Sequence, residues 1–127
     1  MIPTCRPDDH SPASADDLPT AHALETAAAM FRALGDPQRL RLLARLAVGE
    51  ACVSALAEER RERLTTVSAR LKALHAVRLV SRRREAKHVF YAVADQHVLK
   101  LVESAIDHAA EGQPSRPPNE HRKELMP

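Results

Sequence analysis

The sequence has few of the residues that build β-sandwiches and disulfide-linked domains. Its 127 residues include three aromatic side chains, three glycines and two cysteines, and no tryptophan. Because alanine, leucine and valine supply most of the apolar content, the composition favours packed helices. Two cysteines are too few for a disulfide framework, so we expect them to be either buried inert thiols or metal ligands in a reducing compartment.

Long apolar runs are also absent. No stretch approaches the ~18 to 20 apolar residues of a transmembrane helix, and the N-terminal residues lack the charged start and apolar core of a signal peptide. We therefore expect a cytoplasmic protein without a membrane partner. A chain of 127 residues is sized for one small domain, which disfavours enzyme folds that enclose large pockets.

Charge is distributed unevenly along the chain. The formal net charge is +2, yet residues 60–88 contain ten Lys or Arg and two acidic residues, a local charge of +8. The remainder holds nine basic and fifteen acidic residues. A basic block in an otherwise acidic chain is typical of a protein that neutralises phosphates. A merely solvated charged face is the alternative, and the neighbouring elements decide between the two.

The two ends of the chain differ in composition from its middle. Residues 1–20 and 112–127 are rich in proline and polar residues and poor in apolar ones. Such segments cannot bury enough surface to offset the entropy lost on ordering. We therefore predict a flexible N-terminal arm over residues 1–20, one folded domain over 21–111 and a flexible C-terminal tail over 112–127.

Apolar periodicity predicts four helices, then a hairpin and a last helix. Asp36 and Pro37 mark a helix start, because an acceptor side chain precedes a ring with a preset φ. The predicted elements are helices over 24–35, 36–49 and 52–59, a fourth helix from about Thr65, strands over 79–81 and 88–93 joined by a charged loop over 82–87, and a last helix capped by Asp95.

Two short helices followed by a basic hairpin predict a winged helix-turn-helix, a mainly helical fold with a β-hairpin wing. In this fold the fourth helix enters the major groove of DNA and the wing lies along the backbone or minor groove. Arg70 is the best candidate for reading guanine, and the wing cations add affinity through counterion release. The predicted DNA-binding residues, which we expect to be exposed on the fourth helix, are Thr65, Thr66, Ser68, Ala69, Arg70 and Lys72, joined by Arg82, Arg83, Arg84 and Lys87 of the wing.

The last helix carries two pairs of metal-ligand types, Asp95 with His97 and His108 with Glu111. Nitrogen and carboxylate ligands in a set of four match the tetrahedral preference of Zn²⁺. His108 follows His97 by eleven positions, which returns to nearly the same helix face but lies about 16 Å farther along the axis. One chain therefore cannot close the site, whereas two antiparallel copies of the helix in a homodimer would make two equivalent sites.

The apolar side of the same helix also indicates that it packs against another helix. The four polar residues, in contrast, have simpler explanations when taken one at a time. The apolar stripe of the helix is too broad for a lone surface helix; it comprises Val98, Leu101, Val102, Ala105, Ile106 and Ala109. Taken singly, Asp95 is a helix cap, His97 a polar residue of the first turn, and His108 and Glu111 surface groups of the last turn. The four together, beside a stripe that requires dimerisation, favour metal binding.

Five segments resemble the ArsR/SmtB family of metal-sensing repressors: LGDPQRLRLLARL, EACVSALAE, TTVSARLKAL, LVSRRREAKHVFY and DQHVLKLVESAIDHAAE. The resemblance covers residues 24 to 111 and implies a winged helix whose outer helices form the dimer interface. It also places Asp95, His97, His108 and Glu111 on the four ligand positions of the family's C-terminal-helix zinc site.

A second family site joins cysteines of the third helix to ligands in the N-terminal arm of the other subunit. The resemblance places Cys52 at the helix cysteine, with Cys5 and a neighbour such as Asp8, Asp9 or His10 as the contribution of the arm. The match is partial, because Ala55 stands where related zinc sensors carry a carboxylate. Thiolates at both positions would favour a softer ion, Cd²⁺ or Pb²⁺; otherwise Cys52 is a small buried apolar residue and Cys5 a free thiol.

Three positions differ from the family pattern or extend it. The turn between the third and fourth helices reads Arg60-Arg61-Glu62-Arg63 where the family usually has a glycine and a capping Ser or Thr, so its geometry is left open. Ala69 stands where many relatives carry histidine, so base preferences do not carry over. Arg78 matches the position whose backbone carbonyl accepts a hydrogen bond from a metal-bound histidine of the last helix, which suggests a route from metal site to DNA.

These observations predict a homodimeric repressor that binds operator DNA when metal-free and is released by Zn²⁺ at the dimer interface, with Cd²⁺ and Pb²⁺ as further candidate ions. One alternative is a regulator of the same fold that responds to thiol oxidation or another ligand. A zinc hydrolase is disfavoured, because a closed four-ligand site leaves no position for water and the sequence has no nucleophile motif. We therefore expect no enzymatic activity.

Overall fold

The computed structural model describes residues 15–112, which form five α-helices and a three-stranded antiparallel sheet. A 3-10 turn over Ala15–Asp17 precedes the first helix. The helices are α1 (Ala21–Leu34), α2 (Pro37–Val48), α3 (Val53–Arg60), α4 (Leu64–Ala76) and α5 (Gln96–Glu111), and the strands are β1 (Ala51–Cys52), β2 (Val80–Glu85) and β3 (His88–Val93). The predicted mainly helical fold with a hairpin wing is confirmed.

Side-chain caps begin three of the helices. The Thr20 hydroxyl accepts a hydrogen bond from Ala23 N–H at the start of α1. Asp36 and Asp95 accept from the third residue of α2 and of α5, at 3.1 and 3.0 Å. The two helix starts predicted from these aspartates are therefore confirmed. In contrast, α3 and α4 begin without a side-chain cap.

The turn between α3 and α4 is built without glycine. Arg61 has φ 53°, in the left-handed region. Its N–H donates to Glu58 C=O and the next N–H, of Glu62, donates to Ala57 C=O, which together form a Schellman motif. The end of α4 repeats the motif with Arg78, whose φ is 61°. Arginine occupies the place that glycine usually takes, at a conformational cost on the order of 1 kcal/mol or more per site.

The sheet differs from the prediction in two respects. Strand β2 extends through Arg82, Arg83 and Arg84, so the predicted charged loop shrinks to a turn at Ala86 and Lys87. Backbone pairing with β3 continues through these arginines because an exposed ladder tolerates charged side chains. In addition, the two-residue strand β1 pairs with the far edge of β3, giving the order β1-β3-β2.

The core lies where α2, α3, α4 and the sheet meet. Its largest fully buried side chains are Tyr91, Leu42, Leu43, Leu56, Leu71, Leu74, Leu79 and Val67. Only the first half of α5 joins this core, through Val98 and Val102. None of the helices described between residues 15 and 112 has the length and apolarity needed to cross a bilayer.

Candidate nucleic-acid interface and metal ligands

A groove of about 640 Å³ separates α4 from the wing, and we call it the basic groove. Helical spacing places four predicted DNA-binding side chains of α4 beside Leu64 on the face that lines it, since positions three and four apart share a helix face. These are Thr65, Ser68, Ala69 and Lys72. Arg82, Arg84 and Lys87 line the opposite wall, and Cys52 and Tyr91 also border the groove. Seven of the ten predicted DNA-binding residues therefore share one concave surface.

The cations of the basic groove are free of carboxylates. Within residues 15–112, the ion pairs of the basic block involve neither Lys72 nor Lys87, and neither Arg82 nor Arg84. Because α4 has no side-chain cap, its first backbone N–H groups also have no side-chain acceptor. A helix N-terminus beside four unpaired cations suits a phosphate backbone.

Arg83 lies on the other face of the wing. Strand alternation separates it from Arg82 and Arg84. Its guanidinium binds Glu50 through two hydrogen bonds of 2.9 and 2.6 Å and Glu85 through one of 2.7 Å. It also lies 4.4 Å from the centre of the Phe90 ring. These contacts lower the pKa of the Glu50 carboxyl and tie the wing to the segment before β1.

Two other predicted residues point away from the basic groove. Thr66 and Arg70 occupy the next face of α4, and Arg70 Nη1 donates to Glu62 at the start of the helix. The expectation that all six predicted α4 residues are exposed is wrong for Thr66, Ser68 and Arg70, which are half-buried. The reason is that α4 packs against α2 and α3 as well as against β2, so only one narrow face remains open.

The four predicted metal ligands form two pairs at opposite ends of α5. The imidazole Nδ1 of His97 lies 3.6 Å from Asp95 Oδ1. His108 Nδ1 lies 3.7 Å from Glu111 Oε2. All four side chains are exposed, and Asp95 also acts as the helix cap. Within residues 15–112 of a single chain, no group of three or more His, Cys, Asp or Glu residues is close enough together to hold a metal ion.

The predicted apolar stripe of α5 divides into two parts. Val98 and Val102 are buried in the core of their own chain, whereas Ala105, Ile106 and Ala109 in the second half are exposed. Two large side chains of α1 are also open to solvent, Leu24 at 56% and Phe31 at 60% exposure. Both outer helices therefore present apolar surface that residues 15–112 do not cover.

Cys52 lies at the N-terminal end of α3 and is half-buried rather than fully buried. Its Sγ and the Ser54 hydroxyl share a hydrogen bond of 3.3 Å. This bond lowers the pKa of the Cys52 thiol, which favours the reactive thiolate. The other predicted members of the second metal site, Cys5, Asp9 and His10, and the neighbouring Asp8, lie outside the described residues. The carbonyl route predicted through Arg78 stays a prediction.

Sequence reasoning missed three residues that shape the interface. Glu50 and Glu62 each bind an arginine predicted to contact DNA. The isolated position of Glu62 inside a basic block was a signal that could have revealed it. Tyr91 borders the basic groove as a buried side chain and meets the His75 ring edge-on at 6.4 Å. Its place on the central strand could not be seen before the sheet order was known.

Comparisons with known proteins agree with this architecture. No family model matches the chain. A transcriptional repressor SmtB homolog from Synechocystis is 43% identical over 84 residues, which cover 66% of this chain and 64% of that protein. A cadmium resistance transcriptional regulatory protein CadC homolog from Staphylococcus aureus is 35% identical over 85 residues, 66% of this chain and 70% of the relative.

A solved structure extends the similarity to the fold. It is the homodimeric winged helix-turn-helix DNA-binding domain of a possible ArsR-family regulator from Mycobacterium bovis, with a TM-score of 0.72 and 32% identity. The match covers 85% of this chain and 97% of that domain. On this sequence and structural similarity, the chain belongs to the ArsR/SmtB family of winged helix-turn-helix transcriptional regulators.

Proposed function

We propose that this regulator is a homodimeric repressor that binds operator DNA through the basic groove and releases it when Zn²⁺ binds between the two α5 helices. The observation that carries the DNA half of the proposal is a set of four cations around one groove beside α4 that have no carboxylate partner among the described residues: Lys72, Arg82, Arg84 and Lys87. Each phosphate that such a cation neutralises releases counterions and steepens the salt dependence of binding.

The dimer half of the proposal is supported by the exposed apolar surface of α1 and α5. Phe31 on α1 is 60% exposed and Ile106 on α5 is 42% exposed, and burying such surface against a second copy is favourable. The similar Mycobacterium bovis domain is homodimeric. In a two-fold dimer the two α4 helices would enter successive major grooves about 34 Å apart.

The metal half is supported by the donor set of α5. Asp95 with His97, and His108 with Glu111, supply two nitrogens and two carboxylates, a set that Zn²⁺ accepts in tetrahedral geometry. The two pairs lie at opposite ends of one helix. If the partner's α5 packs antiparallel, the Asp95–His97 pair of one subunit meets the His108–Glu111 pair of the other, and this happens at two equivalent places in the dimer. Bound metal would supply a rigid cross-link between subunits. Our proposal is that this cross-link favours a dimer whose α4 spacing no longer matches the operator.

Two metal sites per dimer are enough to supply the coupling free energy between metal binding and operator release. Moving operator occupancy from 99:1 to 1:99 needs a preference of about 10⁴ for the DNA-incompetent state, or about 5.5 kcal/mol. Two equivalent sites per dimer would share that free energy, and linkage requires that operator DNA weaken metal binding by the same factor.

The two candidate metal sites differ in the ion that their ligands favour. Zn²⁺ fits the α5 ligands best, whereas a second site made of Cys52, Cys5, Asp9 and His10 would suit Cd²⁺ or Pb²⁺. The Staphylococcus aureus relative is named for cadmium resistance. The lowered pKa of the Cys52 thiol supports a second candidate trigger, thiol oxidation. We place the protein in the cytoplasm, where such thiols stay reduced.

The deciding experiment is a metal titration of a DNA complex. A duplex selected from a random-sequence pool by the wild-type protein serves as operator, and fluorescence anisotropy follows its release by Zn²⁺, Cd²⁺, Pb²⁺, Co²⁺ or Ni²⁺. We expect His97→Gln and His108→Gln to bind the duplex within about twofold of wild type and to lose zinc-driven release. Glu103→Gln, an exposed carboxylate on the same helix, is the matched control and should release normally.

Two outcomes would reject parts of this proposal. Unchanged zinc release in both histidine variants would remove the α5 residues from the mechanism. Release by a thiol oxidant but by none of the five metals, with loss of that response in Cys52→Ser, would replace metal sensing by the redox alternative.

A further inference from the structure

Glu62 is one of only two acidic residues in the basic block, and it lies in the turn that precedes α4. Its carboxylate binds two arginines from different helices. Oε1 accepts from Arg60 Nε at 2.8 Å, and Oε2 accepts from Arg70 Nη1. Arg60 in turn donates through Nη2 to Gln38 Oε1 at 2.7 Å. One connected network therefore joins α2, α3, the turn and α4.

This network is better shielded from water than the ion pairs of the wing. The side chains of Arg60, Arg70 and Glu62 are 12%, 22% and 25% exposed, whereas those of Arg83 and Glu85 are 49% and 67% exposed. Partial burial strengthens an ion pair that also makes hydrogen bonds. The contacts of Glu62 are therefore better placed to define a geometry than ordinary surface pairs, whose net effect is small.

The network also lies beside a strained turn. The turn has no glycine, Arg61 adopts a left-handed conformation, and α4 begins without a side-chain cap. The Schellman hydrogen bonds fix the backbone of the turn itself, but the first turn of α4 has no side-chain cap to hold it in place. The Glu62 contacts supply a tertiary restraint at this point, since they hold the first turns of α4 to the end of α3 and to α2.

We propose that Arg70 is a positioning residue rather than a base-reading one, and that Glu62 holds it to set the direction of the recognition helix α4. This inference rests on the proposed binding of operator DNA by α4. It replaces the expectation from helix spacing that Arg70 reads guanine. Base reading then falls to Thr65, Ser68 and Ala69, which line the basic groove, while Lys72 beside them contacts phosphate.

A double-mutant cycle separates the two roles of Arg70, because they predict opposite effects of changing Glu62. If Arg70 positions α4, Glu62→Gln and Arg70→Gln each weaken operator binding about tenfold, and the double variant is no weaker than either single one. If Arg70 reads a base, Glu62→Gln frees it and leaves operator binding unchanged or tighter, while Arg70→Gln is costly in either background.

The salt dependence of operator affinity is a second measurement. Removing a phosphate contact changes this dependence, whereas removing a positioning contact does not. We expect Arg70→Gln to leave the negative slope of log K against log[salt] unchanged, whereas Lys72→Gln should make it shallower by about 0.9 for each phosphate that is no longer neutralised. Glu85→Gln, the other acidic residue of the basic block, is the matched control and should bind operator within about twofold of wild type.

The same measurements distinguish failure of this inference from failure of the proposed function. Circular dichroism and thermal melts first establish that each variant is folded at the assay temperature. If Arg70→Gln is not folded, the change in operator affinity caused by Glu62→Gln alone distinguishes the two roles. If wild type shows no preference for the selected duplex and Lys72→Gln does not alter the slope, the DNA-binding proposal itself fails. If wild type binds selectively and Glu62→Gln binds as well or better, only the positioning role of Arg70 is overturned.

Discussion

The basic block has two sides that differ in how their charges are neutralised. On the groove side, Lys72, Arg82, Arg84 and Lys87 face solvent without carboxylate partners among the described residues. Elsewhere in the block, at the positions that we call the paired side, arginines bind carboxylates: Arg60 and Arg70 bind Glu62, and Arg83 binds Glu50 and Glu85. The local charge of +8 thus overstates what DNA can use, because part of the block holds the scaffold together.

The largest expected effect separates the two sides directly. Replacing Lys72, Arg82, Arg84 and Lys87 together by glutamine should weaken DNA binding by about 10³ or more and flatten the salt slope by up to about 0.9 for each phosphate left without its cation. The pair Arg83→Gln and Glu50→Gln, on the paired side, should leave that slope unchanged. Anisotropy titrations between about 50 and 200 mM salt provide the measurement. Equal flattening in both sets would mean that Arg83 also reaches the phosphates.

A smaller effect tests whether DNA fills the basic groove. Cys52 borders the groove, and its lowered pKa raises its thiolate fraction, so iodoacetamide should label it readily. Bound operator should slow this labelling about tenfold by covering the thiol. Peptide mass spectrometry of metal-free protein follows the rate, with Cys5 as reference in the same digest. An unchanged Cys52 rate at saturating DNA would place the duplex elsewhere.

The smallest expected effect is a loss of folding stability at low pH. Of the two sides, only the paired side should contribute to it. Arg83 lowers the pKa of Glu50, and Arg70 and then Arg60 lower that of Glu62. Because the folded state binds protons less tightly than the unfolded state, these groups add stability above the ordinary carboxyl pKa near 4.5, and that stability disappears as pH falls through the lowered values.

The acid prediction is checked by thermal melts between about pH 6 and pH 3. The melting temperature of Glu62→Gln should fall less steeply over this interval than that of wild type, because glutamine does not titrate. Lys72→Gln should show the wild-type slope, since it removes no lowered carboxyl pKa. Parallel curves for wild type and Glu62→Gln would show that the Glu62 ion pairs persist in the unfolded state or do not form in solution.

Local signals predicted some elements well and missed others for identifiable reasons. Asp36 with Pro37, and Asp95, act within three residues of the helix that they begin, so sequence spacing reveals them. Strand β1 is two residues long and pairs with residues 38 and 40 positions later, which no local pattern encodes. Strand β2 was predicted too short because its arginines resemble a loop, although backbone pairing with β3 ignores their charge.

The candidate interface shows the same division. Spacing of three and four along a helix brought Thr65, Ser68, Ala69 and Lys72 to one face, and this follows from helix geometry alone. Helix geometry did not reveal the carboxylate partners of Arg70 and Arg83, because Glu62 lies across a turn from Arg70 and Glu50 is 33 positions from Arg83.

The amino-acid sequence alone determined that this protein is a small helical domain with a basic hairpin, a concentrated positive charge and two histidine–carboxylate pairs at the ends of one helix. Only the tertiary structure decided which cations remain free for a polyanion and which are neutralised within the chain. The physical reason is that charge is additive along a chain, whereas ion pairing depends on distances that exist only after the helices and the sheet have packed.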